Sequence, residues 1–108
     1  MDAARNEIEH APRRLLVRVN ALGSGHNRND LQSIVGASPS GIILPKVETA
    51  ENIREMHQRL LDCERTSGMA PGSMSVVALI ESARGVENIF RIMSEALAPA
   101  RALSAAFG

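Results

Sequence analysis

The sequence has no tyrosine, no tryptophan and only two phenylalanines, Phe90 and Phe107, in 108 residues. Charge of one sign is missing as well: twelve Lys and Arg face twelve Asp and Glu, for a formal net charge of zero. A nucleic-acid surface needs a basic stripe and rings for stacking, so that class is excluded. Cys63 is the one cysteine; an intrachain disulfide is impossible and nothing points to an oxidising compartment. No apolar run approaches the roughly 20 residues of a membrane span. The opening MDAARNEIEH carries acids where a secretory leader would carry an apolar core. The expectation is a soluble, cytoplasmic chain with one small domain over residues 1–108.

What is present reads as globular: 44% hydrophobic and 22% charged residues. Four short, mostly apolar runs have the composition of strands covered on both faces in a parallel sheet. They span 15–20, 41–46, 75–81 and 102–107, the last one rich in alanine and so equally suited to a helix. Between them lie helical patterns. Residues 49 to about 66 place Ile53, Met56, Leu60 and Cys63 on one side, with Thr49 and Asn52 as a poor capping box and Glu48 and Glu51 favouring the N-terminus. Residues 85–97 repeat Val86, Ile89, Phe90, Met93 and Leu97, and Pro99 ends the pattern. A shorter helix over 30–35 would be capped by Asn29 or Asp30.

The order is therefore β-α-β-α-β-α-β. Strand starts recur at about the 31-residue interval that a 250-residue eight-unit barrel implies. The fold class is α/β: a partial (β/α)8 barrel of about three and a half units, with a small doubly wound flavodoxin-like sheet as the alternative. Spacing does not choose between them.

In both folds ligands bind beyond the carboxyl ends of the strands. Arg18 and Asn20 share one face of the first strand. Lys46 follows Pro45 at the end of the second, and Glu81 closes the third on the face of Val77 and Leu79. Two cations and a carboxylate converging there suit an anionic substrate held beside a cation. Lys46 is the only lysine among the twelve cationic residues. An ordinary salt bridge to Glu48 or Glu81 is favoured for it over a Schiff base. His10, His26 and His57 show no metal-ligand spacing and read as solvated, and Cys63 reads as inert packing. Gly23-Ser24-Gly25 is too short for a phosphate fingerprint.

Four motifs occur in order: Val17-Arg18-Val19-Asn20 with Asp30-Leu31, then Ile43-Leu44-Pro45-Lys46-Val47-Glu48, then Leu79-Ile80-Glu81-Ser82-Ala83-Arg84-Gly85, then Ala106-Phe107-Gly108. Together, from about Leu15 to Gly108, they resemble the HpcH/HpaI aldolase and citrate lyase family, closest to its citrate lyase β-subunit-like branch. That resemblance implies a (β/α)8 barrel that uses Mg2+ on 2-oxo acids and acyl-CoA thioesters. It implies that Arg18 grips the substrate carboxylate and carbonyl, and that Glu81 is a metal ligand. Asn20, Lys46 and Glu48 would line the substrate site, with no Schiff-base lysine required. The family's second metal carboxylate is an aspartate a few residues past the Phe-Gly motif, which would fall after Gly108, so the expectation is a fragment of a lyase. The isolated chain would then be inactive. The other class of reading is a non-catalytic half-barrel that pairs with itself or a companion chain, covering its open edges as a homo-oligomer.

Overall fold

In the computed structural model, which describes residues 15–34, 39–95 and 101–108, four strands form one parallel sheet. Strands β1 (Leu16–Arg18), β2 (Gly41–Leu44), β3 (Ser75–Ile80) and β4 (Leu103–Phe107) lie side by side in chain order. A 3-10 turn (Leu22–Ser24) and helix α1 (Asn27–Ile34) connect β1 to β2. Helix α2 (Ala50–Ser67) connects β2 to β3, and α3 (Ala83–Glu87) with α4 (Ile89–Glu95) leads to β4. The order β1-β2-β3-β4 winds in a single direction, as a barrel does. A doubly wound sheet would place a strand out of chain order, so the flavodoxin-like alternative is ruled out. The chain is a partial (β/α)8 barrel, and its alanine-rich last segment is a strand, in register with β3 from Val76↔Leu103 to Ile80↔Phe107.

The core lies on one side of this sheet. Ile42, Leu44, Val76 and Ala78 are fully buried against Leu31 of α1, Ile53, Met56 and Leu60 of α2, and Ile92 of α4. On the other side Ile43, Val77 and Leu79 are half-buried and Arg18 is exposed. The expected burial on both faces is thus corrected. The described helices cover only the outer face, and the residues that would point to a barrel axis lie open. This is why Arg18 needs no buried partner in the strand. β2 and β3 approach closely at Gly41, where a Cβ would collide with the Ser75 side chain and backbone.

Local chemistry sets the helix ends. The Thr49 hydroxyl accepts from the Asn52 N–H at 3.2 Å, and Asn52 Oδ1 accepts from the Thr49 N–H at 3.1 Å. The expected poor capping box is therefore a complete one. It works because the short Asn52 amide also accepts the Glu48 N–H at 2.9 Å, drawing the incoming loop over the helix end. α1 starts at Asn27 rather than at 29 or 30, with Asp30 inside its first turn. The single helix expected over 85–97 is interrupted at Asn88, whose amide donates to the Glu48 carbonyl at 2.9 Å. Val86 (52% exposed) and Phe90 (78%) consequently face outward rather than into the core. Ile92 is fully buried, Ile89 and Met93 pack partly buried against the core, and Leu97 lies outside the described residues.

At the amino end of β3, the Arg101 guanidinium meets the Glu64 carboxylate through two hydrogen bonds, of 2.6 and 2.9 Å. The Gly72 and Met74 N–H groups donate to the same carboxylate, and the Met74 carbonyl accepts from Arg101. His57, expected to be solvated, is half-buried with its Nδ1 accepting from Arg101 Nε at 2.9 Å. Cys63 packs against the core as expected, and burial pushes its thiol pKa up.

Candidate active site

The carboxyl ends of the strands carry the residues singled out from the sequence. Glu81 follows β3 directly, and its Oε2 accepts the backbone N–H of Lys46 at 2.9 Å. Lys46 can aim that N–H because it sits at φ 60°, the left-handed conformation a side chain rarely adopts. The adjacent Val47 N–H donates to the Leu79 carbonyl at 3.3 Å, so the loop after β2 is strapped to the end of β3. Ser82 caps α3 by accepting the Gly85 N–H at 3.0 Å. Gly85 is required there: a Cβ would lie 2.7 Å from the Val47 carbonyl oxygen. The Glu-Ser-Ala-Arg-Gly motif is therefore a strand end, a helix cap and a close contact with the facing loop.

Lys46, Glu48, Glu81 and Ser82 line one cavity of about 320 Å³. Among the described residues no carboxylate lies within ion-pairing distance of the Lys46 ammonium. The favoured Lys46 salt bridge is thus corrected: the partner is Glu81, but the donor is the backbone. The Glu48 carboxylate faces Arg84 at 3.9 Å instead. A neighbouring cavity of about 380 Å³, lined by the 3-10 turn and the segment from Leu44 to Val47, opens on the other side of Lys46.

Asn20 is fixed from α1. Its N–H and its amide both donate to Asp30 Oδ2 at 2.7 Å, and its carbonyl accepts from the Asn27 amide at 2.7 Å. Asn27 is 1% exposed and is held in turn by Arg59 Nη1 at 3.0 Å. Neither Asn27 nor Arg59 stands out in the sequence; a polar residue just before a helical run was the one available signal. Arg18 stands apart on the open face, in the cross-strand row of Ile43 and Val77. No hydrogen bond or ion pair among the described residues joins it to Glu81.

The donor set suits a hard divalent cation. Glu81 is exposed, and Oε1 stays available when Oε2 takes the Lys46 N–H. Mg2+ typically takes one or two carboxylates and fills its remaining positions with water and substrate oxygens, so one carboxylate presented in a cleft fits. Among the described residues no group of three or more His, Cys, Asp or Glu is placed to hold a metal ion, so the protein share of such a site is the single Glu81 carboxylate. No described helix is long and apolar enough to cross a membrane.

The model of the HpcH/HpaI aldolase/citrate lyase family matches residues 2–108. The chain is 35% identical to the citrate lyase subunit beta of Escherichia coli, over 84% of the chain and 32% of that protein. It is 32% identical to the same subunit of Haemophilus influenzae, over 99% and 38%. A crystal structure of a citrate lyase from Burkholderia xenovorans superposes with TM-score 0.72 at 25% identity, covering 85% of this chain and 28% of that one. The protein CitE from Mycobacterium tuberculosis, solved with magnesium and acetoacetate, gives TM-score 0.61 at 29% identity, covering 97% and 37%. The same protein has been solved with magnesium, acetoacetate and coenzyme A. The chain spans about a third of the length of the curated relatives it matches.

Proposed function

The chain belongs to the HpcH/HpaI aldolase/citrate lyase family, and from that premise we propose that it forms part of the active site of a Mg2+-dependent carbon–carbon lyase. Its substrates are 2-oxo acids and acyl-CoA thioesters, and it acts in the cytoplasm. The observation that carries this reading is the Glu81 carboxylate, held at the carboxyl end of β3 by the Lys46 N–H with one oxygen left for a ligand. The neighbour complex with magnesium and pyruvate, a 2-oxo acid, supports the oxo-acid class, and the one with coenzyme A supports the thioester class.

Glu81 holds the metal, and Lys46 orients Glu81 through its backbone rather than its ammonium. Arg18 binds the substrate carboxylate, since a guanidinium fork matches that group in two hydrogen bonds. Asn20, fixed by Asp30, keeps the end of β1 rigid beneath it. Glu48 lines the cavity and anchors α3 and α4 through its carbonyl. A bound Mg2+ supplies Lewis-acid stabilisation of the negative charge that develops as the carbon–carbon bond breaks.

The 108-residue chain alone is inactive on this account, because it provides one metal carboxylate and an open inner face. A barrel in which these residues replace the matching segment of the Burkholderia xenovorans citrate lyase tests the proposal. It should release a 2-oxo acid in a Mg2+-dependent way and stop when the metal is chelated. Turnover that survives chelation would sink the reading. The half-exposed inner face favours a second reading, a non-catalytic half-barrel that associates with itself or a companion chain. Assembly of the chain with no oxo-acid or metal binding in any barrel context would select that one.

A further inference from the structure

We propose that the cavity between the first turn of α2 and the α3–α4 pair binds a phosphate group. This cavity, of about 360 Å³, is lined by Thr49, Glu51, Arg54, Arg84, Asn88 and Arg91. Three of the twelve cationic residues of a chain with no net charge converge on it, and Glu51 is the single carboxylate in its wall.

The existing partners leave these guanidinium groups largely unused. Arg54 Nη2 lies 4.0 Å from Glu51 Oε2, and Arg84 Nη1 lies 3.9 Å from Glu48 Oε1, the outer limit of an ion pair. Exposed pairs at that distance contribute little. Arg91 has no ion-pair partner among the described residues. Three like charges around one hollow repel each other unless an anion sits between them. Guanidinium forks match phosphate oxygens in paired, charge-assisted hydrogen bonds, which selects phosphate over a simple halide. The Thr49 hydroxyl is already committed to capping α2, so the arginines supply the recognition.

Glu48 separates this cavity from the one at Glu81: its carboxylate faces Arg84 and its carbonyl accepts from Asn88. A phosphorylated ligand at the arginines would thus lie along the same rim of the sheet as Glu81. The phosphate could belong to a free polyanion such as pyrophosphate or to a phosphorylated thioester carrier. The chemistry recognised is the same, and the site does not depend on the lyase reading.

Calorimetric titration of the 108-residue chain at fixed ionic strength, with sodium pyrophosphate in one arm and coenzyme A in the other, tests this. Pyrophosphate should bind, and the pair Arg84→Gln and Arg91→Gln should weaken it by about tenfold or more, as expected for losing charged hydrogen bonds. Arg84→Lys, which keeps the charge and loses the fork, should give an intermediate loss. Arg65→Gln, at the far end of α2, should change nothing. If coenzyme A binds tighter than pyrophosphate and suffers the same loss, the carrier is the source; if only pyrophosphate binds, the source is the free anion. Absence of pyrophosphate binding, or an equal loss in Arg65→Gln, would overturn the site. Phosphate binding by a chain whose barrel shows no metal-dependent turnover would leave the site standing and remove the lyase reading.

Discussion

Glu81 and Lys46, 35 residues apart, are joined by one hydrogen bond from a backbone N–H held in a left-handed turn. The chemistry assigned to Lys46 therefore resides in its main chain. Lys46→Gly should stabilise the fold by roughly 1 kcal/mol in a urea titration, because glycine takes φ 60° without steric cost. Lys46→Pro should be destabilising, since proline removes the N–H that Glu81 needs and cannot reach that φ. In the chimeric barrel Lys46→Ala should lower turnover only mildly. Trapping of substrate on Lys46 by borohydride would instead make the enzyme a Schiff-base aldolase.

Both side chains of the Glu64–Arg101 pair are fully buried. Removing one partner strands a buried charge, so Glu64→Ala should cost about 3–5 kcal/mol in chemical denaturation. A loss below roughly 1 kcal/mol, the value of an exposed pair, would show that the pair is open to water.

The same cluster makes stability fall with acid in two stages. Burial, and then the nearby Arg101 charge, hold the His57 pKa below its usual 6.5. The folded state thus disfavours the histidine proton, so its contribution is present above pH 6.5 and is lost as pH drops through the lowered value. Burial alone would raise Glu64, but the hydrogen bonds from Arg101, Gly72 and Met74 outweigh it and hold the carboxyl below 4.5. Its contribution is complete above that pH and lost below it. His57→Gln should flatten the first stage of a stability–pH profile and spare the second. A profile unchanged by that substitution would remove His57 from the account.

The inner face of the sheet leaves Ile43, Val77 and Leu79 half-exposed, and β4 pairs with β3 alone among the described strands. Unpaired edges and apolar faces promote association. Sedimentation of the 108-residue chain should show self-association that strengthens with concentration. A monodisperse monomer with a sharp melt would contradict this.

The sheet was legible because β-branched runs bounded by glycine, proline and charge read as strands, and their order with three intervening helices allowed few folds. The strand ends were legible because Arg18, Lys46 and Glu81 break those apolar runs at the end where barrels bind ligands. Burial on the second face was not, since composition cannot say whether another layer covers a strand. The break at Asn88 escaped because it depends on a hydrogen bond to Glu48, 40 residues earlier. That break turns Val86 and Phe90 outward despite their helical spacing. Nothing in the sequence singles out Glu64 and Arg101 for the same reason: their pairing spans 37 residues. The backbone role of Lys46 was hidden because nothing in a side chain announces a positive φ.

The most direct test is the Mn2+ affinity of the chimeric barrel, read by electron paramagnetic resonance with and without Glu81→Ala. Mn2+ stands in for Mg2+ at oxygen-ligand sites. The account predicts that Glu81→Ala weakens Mn2+ binding by about tenfold or more, on the scale of losses from weakened metal ligation. Arg18→Ala should leave it unchanged while weakening the binding of pyruvate, the 2-oxo acid held with magnesium in the Mycobacterium tuberculosis neighbour. Equal Mn2+ affinity with and without the Glu81 carboxylate would contradict the account.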